Sequence, residues 1–208
     1  MQDRSTSSHH GVVLGVFALL VTTLLAITHS ATKGRIAANE LAQRERTIFE
    51  VLPQGWQKQD TQDATVPVFD QTDGTERVTR VVRHKSGTAA VIISTSASNG
   101  YSGSIDLLIS ILEDGTLSGV RVVRHSETPG LGDTIEIQRS DWIKGFNGRS
   151  FSASNESQWD VHKYNGEFDQ FTGATITPRA VVHEVANTLR FFNTAKDQIF
   201  NNAPPINE

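Results

Sequence analysis

The hydrophobic pattern of the chain begins with an unbroken apolar stretch at residues 11–32, which contains no Asp, Glu, Lys or Arg. As a helix it would be about 33 Å long, enough to cross a hydrocarbon core of roughly 30 Å. The pattern predicts a transmembrane helix over residues 11–32, preceded by a short N-terminus at residues 1–10. The alternatives are a buried core helix, which rarely runs this long without a charge, and a cleaved signal peptide. The latter would have only Arg4 as a positive charge and an unusually long apolar run.

A weaker helical pattern follows the apolar stretch. Apolar residues recur near helical spacing, among charged ones, at Ile36, Leu41, Ile48, Val51 and Leu52. Pro53 cannot continue a helix, so we predict a juxtamembrane helix over residues 33–53. Residues 54–76 show no strong period, and we expect them to be irregular.

The period changes to two at residue 76. Residues 76–84 and 88–96 predict two strands joined by a Lys-Ser-Gly turn, and residues 104–112 and 117–125 predict a second hairpin. The second hairpin contains an Asp-Gly pair, which is typical of a tight turn between strands. Strands that precede helices, with few crossovers, indicate an α+β domain with an antiparallel sheet.

The C-terminal part of the chain is expected to be mainly helical. Residues 133–148 predict one or two short helices, and residues 159–170 predict a weak hairpin. A long helix from Pro178 to about residue 200 is predicted by apolar residues at Val181, Val182, Val185, Leu189, Phe192 and Ile199. We therefore expect an antiparallel sheet flanked by helices in one domain over residues 54–200, followed by a flexible tail at residues 201–208.

Composition narrows the classes of function. The net charge of −4 argues against a nucleic-acid partner, because such proteins usually carry a basic surface. The chain has no cysteine, which excludes disulfides, thiolate zinc sites, thiol nucleophiles and iron–sulfur ligation by this chain. Redox chemistry would then need an organic cofactor or a metal held without cysteine sulfur. The Gly-x-Gly-x-x-Gly fingerprint of a nicotinamide site is absent, and we assign no catalytic or metal-ligating residue.

The start of the long C-terminal helix has the features of an anion site. Pro178 suits the first turn of a helix, and Thr177 is then the predicted N-cap. Thr175 lies two residues earlier, where unpaired N–H groups and the helix dipole stabilise an anion. Gly173 and Ala174 leave room around its hydroxyl. The alternative is a capped helix after a turn of small residues, with no ligand.

Residues 169–175, Asp-Gln-Phe-Thr-Gly-Ala-Thr, resemble the flavinylation motif Asp-x-x-Ser/Thr-Gly-Ala-Thr of the FMN-binding domain family. In that family the last Thr carries FMN through a phosphoester bond. The resemblance therefore implies covalent FMN on Thr175. It also implies that Asp169, Thr172, Gly173 and Ala174 are recognised during attachment.

A second stretch resembles the same family. It has a Gly-Tyr-x-Gly loop, the Asp-Gly hairpin and Glu-Thr-Pro-Gly-Leu-Gly at residues 127–132. In the last of these, the glycines let the backbone approach a flavin ring, Leu131 can cover a face, and Glu127 and Thr128 offer polar groups. The fold must bring this stretch and residues 169–175 together if they form one site. The expected cofactor-binding residues are Glu127, Thr128, Gly130, Leu131, Gly132, Lys144, Thr172, Gly173, Ala174, Thr175 and Thr177.

Three of the side chains near these motifs have a functional and a structural interpretation. Lys144 can meet the phosphate or be a solvated lysine. His125 can be a base or ligand, or a structural histidine at a strand end. Tyr101 can contact the cofactor or anchor its loop.

Within the family, the single span and the short chain resemble the G subunits of Rnf-type ion-translocating electron-transport complexes. The C subunits of Na+-translocating NADH:quinone oxidoreductases share the motif but are longer. The resemblance implies a membrane-anchored FMN electron carrier that has no complete active site of its own. Its partners would be other membrane and iron–sulfur or flavin subunits, a flavin transferase and the lipid bilayer. A structural subunit without a cofactor is the alternative.

The orientation of the span is weakly signalled by charge. Arg4 precedes the span, and Lys33 and Arg35 follow it, which slightly favours a cytoplasmic C-terminal side. The resemblance instead implies a cytoplasmic N-terminus and a periplasmic flavin domain on the bacterial inner membrane. We follow the resemblance, because a difference of one charge is a small bias.

Overall fold

The computed structural model describes residues 3–70, 74 and 76–204, with the backbone alone for residues 3–9, 12 and 35–45. Of the expected N-terminus at residues 1–10 and the expected tail at residues 201–208, residues 1–2 and 205–208 lie outside the described residues. In chain order, the helices and strands are α1 (Asp3–Val51), β1 (Thr61–Phe69), β2 (Glu76–His84), β3 (Ala89–Ala97), β4 (Ile105–Leu112), β5 (Leu117–Arg124) and α2 (Ile176–Asn202). Short 3-10 segments lie at Lys58–Asp60, Gly132–Ile135, Trp142–Phe146, Glu156–Gln158 and His162–Tyr164. The contacts divide the chain into two units, Met1–Glu45 and Arg46–Glu208.

Helix α1 is continuous, so the expected span and the expected juxtamembrane helix follow each other without a break. Its segment Val13–Gly34 has a mean hydropathy of 2.0, is long enough to cross a membrane, and is not buried by the protein. That exposure argues against a core helix. The hydroxyls of Thr22 and Thr23 each donate to the carbonyl four residues earlier at 2.7 Å, which satisfies them within the helix. The helix ends before Pro53, because proline disfavours a helical residue ahead of it.

The five strands form an antiparallel meander in the order β1-β2-β3-β4-β5. Strands β2 to β5 match the four predicted strands, and Gly115 makes the turn between β4 and β5 with φ at 90°. Its N–H donates to the Leu112 carbonyl at 2.9 Å. The expected fold class, an antiparallel sheet flanked by helices, is confirmed.

Strand β1 corrects the expectation that residues 54–76 are irregular. Val66 and Val68 are buried in it, and Pro67 between them is exposed. β1 is an edge strand, and edge strands are where a sheet tolerates proline. The strand was missed because only two buried positions alternate around a proline.

Both faces of the sheet are covered. One face packs against α2 and the 3-10 segments, and Phe146, Phe192 and Ile109 are fully buried in that core. The opposite face carries a smaller cluster that joins the end of α1 to the sheet: Val51, Leu52, Val82, Ala90, Ile92 and Leu108. Strand β3 is therefore buried on both sides, which explains its continuous apolar run from Ala89.

The last turn of α1 is hydrogen-bonded to β5. Ser118 Oγ donates to the Val51 carbonyl at 2.8 Å, and Arg121 Nη2 donates to the Glu50 carbonyl at 3.1 Å. These side chains satisfy carbonyls that a helix end leaves unpaired. Gly119 permits the contact, because a Cβ there would lie 2.6 Å from the Val51 carbonyl oxygen.

The region between β5 and α2 confirms one prediction and corrects two. Residues 133–148 contain short helices of the 3-10 type, as expected. Residues 159–170 are not a hairpin: they hold a 3-10 turn and one parallel bridge between Val161 and Phe168. Gly166 packs against Asp160, whose carbonyl oxygen would lie 1.8 Å from a Cβ at Gly166, so the segment folds back on itself. Helix α2 begins at Ile176, so its N-cap is Thr175 rather than Thr177.

Candidate functional site

The fold brings the two glycine-containing motifs into contact. Thr177 Oγ1, in the first turn of α2, donates to Glu127 Oε2 at 2.5 Å across 50 residues of sequence. A Cβ at Gly132 would lie 3.1 Å from that same hydroxyl oxygen, and a Cβ at Gly173 would lie 3.7 Å from Leu131 Cδ2. The stretch at residues 127–132 therefore packs against residues 173–177.

Glu127 is the centre of this contact. Its carboxylate is buried, and Oε1 accepts the Ser102 N–H at 3.0 Å while Oε2 accepts the Thr177 hydroxyl. Gly100 also packs on it, because a Cβ at Gly100 would lie 2.7 Å from Oε1. Both oxygens are engaged by the protein, so the side chain joins three segments of the chain.

His125 supports Glu127 through the backbone. Its Nδ1 accepts the Glu127 N–H at 3.0 Å, and its Nε2 lies 2.7 Å from Glu136 Oε1. Since Nδ1 accepts a bond from an N–H, the ring proton belongs on Nε2, where it is donated to Glu136. The structural interpretation of His125 accounts for both of its nitrogens.

The turn at residues 128–132 shows why glycines occur there. Gly130 has φ at 78°, which favours glycine, and its N–H donates to Asp133 Oδ1 at 2.7 Å. The Gly132 N–H donates to the Thr128 carbonyl at 3.0 Å, which closes the turn. Asp133 is buried and was not predicted from the sequence; its position one residue after the motif was the available signal.

The segment at residues 169–175 is held by its backbone. Trp142 Nε1 donates to the Asp169 carbonyl at 2.8 Å, and the Trp142 ring packs edge-on against Phe171. The Ala174 N–H donates to the Phe171 carbonyl at 3.1 Å, and Gly173 adopts φ at 80° in this turn. A side chain at position 173 would be strained, which explains one glycine of the motif.

Thr175 is the N-cap of α2. Its carbonyl accepts the Arg179 N–H at 3.3 Å, but its side chain makes no capping hydrogen bond. A Thr at this position normally uses its hydroxyl to cap the helix, so a hydroxyl that does not cap is available for other chemistry. The N–H groups of Ile176 and Thr177 lie in the first turn, and Pro178 has none.

Lys144 lies in the 3-10 segment Trp142–Phe146, where it forms an ion pair. Its Nζ lies 2.6 Å from Asp141 Oδ1, three residues earlier, and both side chains are at the surface. Thr172 and Gly173 are exposed, and Ala174 and Thr175 are half-buried.

Three large apolar side chains are exposed around the two motifs. Leu131 lies against Gly173, and Ile176 follows Thr175. Tyr101 precedes Ser102, whose N–H donates to Glu127. All three are exposed in a fold whose other apolar side chains are mostly buried. Exposed apolar groups next to tight glycine turns are suited to contact a planar ring.

A second set of side chains on α2 was not predicted. Arg179 makes a bidentate pair with Asp160, and His183 Nε2 lies 3.2 Å from the same carboxylate. Burial raises the pKa of Asp160, but the hydrogen bonds from Arg179, the Val161 N–H and His183 outweigh it, and the pKa lies below its ordinary value. The bond to Asp160 raises the pKa of Arg179. The only sign of this set in the sequence was an Arg four residues after Thr175. The sequence did not predict that this Arg pairs with Asp160.

Two family models and several known proteins match this chain. A model of the FMN-binding domain matches residues 100–190, and a model of the RnfG N-terminal region matches residues 1–51. The chain is 41% identical over 199 residues to the G subunit of the ion-translocating oxidoreductase complex of Pseudomonas aeruginosa, covering 94% of this chain and 93% of that one. The G subunits of the same complex from Vibrio cholerae and Pseudoalteromonas atlantica are 39% identical over 198 residues (94% and 95% covered) and 43% identical over 199 residues (92% and 90% covered).

The chain belongs to the RnfG family, the G subunits of ion-translocating oxidoreductase complexes. In this member of the RnfG family, the matched FMN-binding domain contains both motifs and the first half of α2. The matched N-terminal region ends where α1 ends, at residue 51.

Proposed function

We propose that the chain is a membrane-anchored electron carrier that holds FMN covalently on Thr175, within an Rnf-type ion-translocating oxidoreductase complex. The observation that carries the proposal is the Thr175 hydroxyl, which stands at the start of α2, ends a flavinylation motif and does not cap the helix. Bound FMN would supply one- and two-electron redox chemistry. The chain's own residues attach it, orient it and limit where it can reach.

The attachment is a transfer of FMN from FAD. The bond between the FMN phosphorus and the bridging oxygen of the FAD pyrophosphate breaks, and the bond between Thr175 Oγ1 and that phosphorus forms. AMP leaves with the bridging oxygen, and the hydroxyl proton passes to solvent. The sequence shows no motif for activating FAD, so we infer that a separate flavin transferase acts on the chain. Asp169, Thr172, Gly173 and Ala174 are the residues that it would recognise.

The shape of the region supports FMN as the group that fits. Gly132 is buried against Glu127 and Thr177, which brings the turn at residues 128–132 close to the start of α2, and the exposed Gly173 lies beside Leu131. Leu131, Ile176 and Tyr101 offer apolar surface for the ring. The exposed Thr128 side chain offers a polar group at its edge. Glu127 keeps this surface in shape, because both of its oxygens already accept bonds from the protein.

The N-terminus of α2 supports a phosphate on Thr175. An anion near a helix start gains about 0.3–1 kcal/mol when exposed and up to roughly 2 kcal/mol when partly buried. That gain is too small to retain a free cofactor, which is consistent with a covalent bond. Lys144 pairs with Asp141 at the surface, and its contact with this phosphate stays a prediction.

Electron relay between partner subunits follows from the residues available. The chain has no cysteine for an iron–sulfur cluster and no nicotinamide fingerprint, so donor and acceptor belong to other subunits. The names of the relatives and the coverage of at least 90% of their length favour a G subunit of an Rnf-type complex over the longer C subunits of Na+-translocating NADH:quinone oxidoreductases.

The membrane anchor would be the segment Val13–Gly34, with the flavin domain in the periplasm of the bacterial inner membrane. Fusions of a cytoplasm-active and a periplasm-active reporter to the C-terminus test this orientation. Activity of the periplasmic reporter alone is expected. Activity of the cytoplasmic reporter alone would mean that the charges of Lys33 and Arg35 set the topology.

Intact mass and in-gel flavin fluorescence of the denatured chain test the covalent bond. An adduct with the mass of FMN is expected on the wild type and is expected to be absent from Thr175→Ala. The matched control is Thr172→Ser, which keeps the motif pattern and should retain the adduct. An adduct that persists in Thr175→Ala overturns the assignment, and a wild type without flavin when expressed with its transferase favours a structural subunit.

A further inference from the structure

Asp160 lies at the start of the segment that leads into the flavinylation motif. Arg179 Nε donates to its Oδ1 and Arg179 Nη2 to its Oδ2, both at 2.9 Å. His183 Nε2, one turn further along α2, lies 3.2 Å from Oδ2. A bidentate Arg–carboxylate pair fixes orientation as well as distance, so Asp160 is held against the first two turns of α2.

The segment after Asp160 is closed on itself. The Asp160 carbonyl accepts the Phe168 N–H at 3.2 Å, and the His162 N–H donates to the Phe168 carbonyl at 2.8 Å. The Arg179 guanidinium lies 3.9 Å from the centre of the Tyr164 ring, so the same arginine also contacts the middle of the segment. Arg179 therefore links the segment to α2 at both Asp160 and Tyr164.

The far end of this segment holds Asp169. His162 Nε2 lies 3.2 Å from Asp169 Oδ1, and the Trp142 ring nitrogen binds the Asp169 carbonyl. The Asp169 carboxylate is 80% exposed, so a partner can reach it. At the other end of the motif, the backbone N–H of Arg179 binds the Thr175 carbonyl. Arg179 thus contacts Thr175 through its backbone and the segment that carries Asp169 through its side chain.

We propose that the pair of Asp160 and Arg179 is a positioning device, which holds the exposed Asp169 at a fixed place relative to Thr175 for recognition by the flavin transferase. This inference rests on the proposed attachment of FMN to Thr175. The pair acts through Asp169 and touches neither FAD nor the reacting hydroxyl. Its effect is on how well the chain is recognised, because the Thr175 hydroxyl itself is unchanged by its loss.

The test measures the initial rate of flavinylation of the full-length protein in detergent by a flavin transferase and FAD. The product is quantified by in-gel flavin fluorescence, and the rate is measured as a function of the concentration of the acceptor chain. Asp160→Asn and Arg179→Lys each remove the bidentate pair. We expect kcat/KM for the acceptor chain to fall about tenfold, mainly through a higher KM, since misplacing a positioning group by about 1 Å costs up to roughly 10²-fold.

The matched control is the pair of Glu156 and Arg190, which also joins a 3-10 segment to α2, with Arg190 Nη2 at 2.6 Å from Glu156 Oε1. Glu156→Gln and Arg190→Lys should leave kcat/KM within about twofold of the wild type, because exposed pairs contribute little. Thermal melts of all variants are recorded, and rates are measured well below the lowest midpoint.

A double-mutant cycle separates positioning from general stability. In an Asp169→Ala background, adding Asp160→Asn should cause no further loss of kcat/KM, since residues that act through one another are not additive. A further tenfold loss there, wild-type kinetics in both single variants, or an equal loss in the Glu156→Gln control overturns the inference. If the wild type itself accepts no flavin on Thr175, the proposed function fails before this question arises.

Discussion

Thr177 Oγ1 donates to Glu127 Oε2 at 2.5 Å, and this bond joins the first turn of α2 to the turn that follows β5. The two residues are 50 apart in sequence. Thr177 can make this bond because α2 starts at Ile176, so Thr177 lies in the first helical turn with its side chain buried. Thr175 is left as the N-cap, with its hydroxyl uncommitted to capping. Because of where α2 starts, Thr177 has a structural role, and Thr175 is left for the proposed chemistry.

Glu127→Gln is expected to destabilise the domain. A glutamine has one acceptor oxygen, so it cannot accept from both Ser102 and Thr177, and its amide would face one of these donors. A buried donor left unpaired costs about 1–3 kcal/mol in the free energy of unfolding. Denaturant unfolding followed by circular dichroism measures it. The exposed Glu113→Gln is the control, and equal midpoints for the two variants would contradict the role of Glu127.

Gly132→Ala is expected to disturb the same contact by overpacking. A Cβ at Gly132 would lie 2.9 Å from Glu127 Cβ and 3.1 Å from Thr177 Oγ1, so the neighbours must move. A cost of about 1–3 kcal/mol in the free energy of unfolding is expected. Gly145→Ala is the matched control, because no atom lies within 4 Å of a Cβ there. Equal denaturation midpoints for the two variants would show that the close packing at Gly132 does not contribute to stability.

The sequence predicted the parts of the fold that have a regular period. β2 to β5 alternate or run apolar, and α2 has an apolar stripe, so local patterns were enough. β1 was missed because Pro67 interrupts a short alternation, and the start of α2 was placed late because Thr177-Pro178 looks like a cap followed by a first turn. The bonds of Glu127 and Asp160 join residues far apart in the chain, and no local pattern reports them.

Stability is expected to depend on pH through Glu184. Burial raises the pKa of this α2 carboxyl, and hydrogen bonding by Thr95 opposes the rise only in part. A carboxyl whose pKa is raised in the folded state contributes fully to stability below the ordinary carboxyl pKa. That contribution is lost as the pH rises through the pKa of the folded state. Glu184→Gln should therefore gain stability relative to the wild type as pH rises from the ordinary carboxyl pKa through the folded-state value.

Thermal midpoints of the wild type and Glu184→Gln across that pH range measure the difference. The control is Glu113→Gln, whose side chain is exposed and whose difference from the wild type should not change in the same direction. A constant offset between wild type and Glu184→Gln at every pH would show that this carboxyl does not titrate differently in the folded state.

The last prediction concerns the phosphate on Thr175. If it lies at the N-terminus of α2, it accepts hydrogen bonds from the N–H groups of Ile176 and Thr177, since Pro178 has no N–H to offer. In NMR spectra of the full-length protein, flavinylation should then move these two amide protons downfield, while the Val182 amide, within the helix, stays in place. The flavinylated protein should also gain about 0.3–1 kcal/mol in the free energy of unfolding from the helix dipole. The spectra distinguish this from the alternative, because a phosphate that points to solvent would leave both amides where they are in the unmodified chain. The flavin would then be a tethered, mobile group, and Leu131 and Tyr101 would lose their proposed contact with the ring.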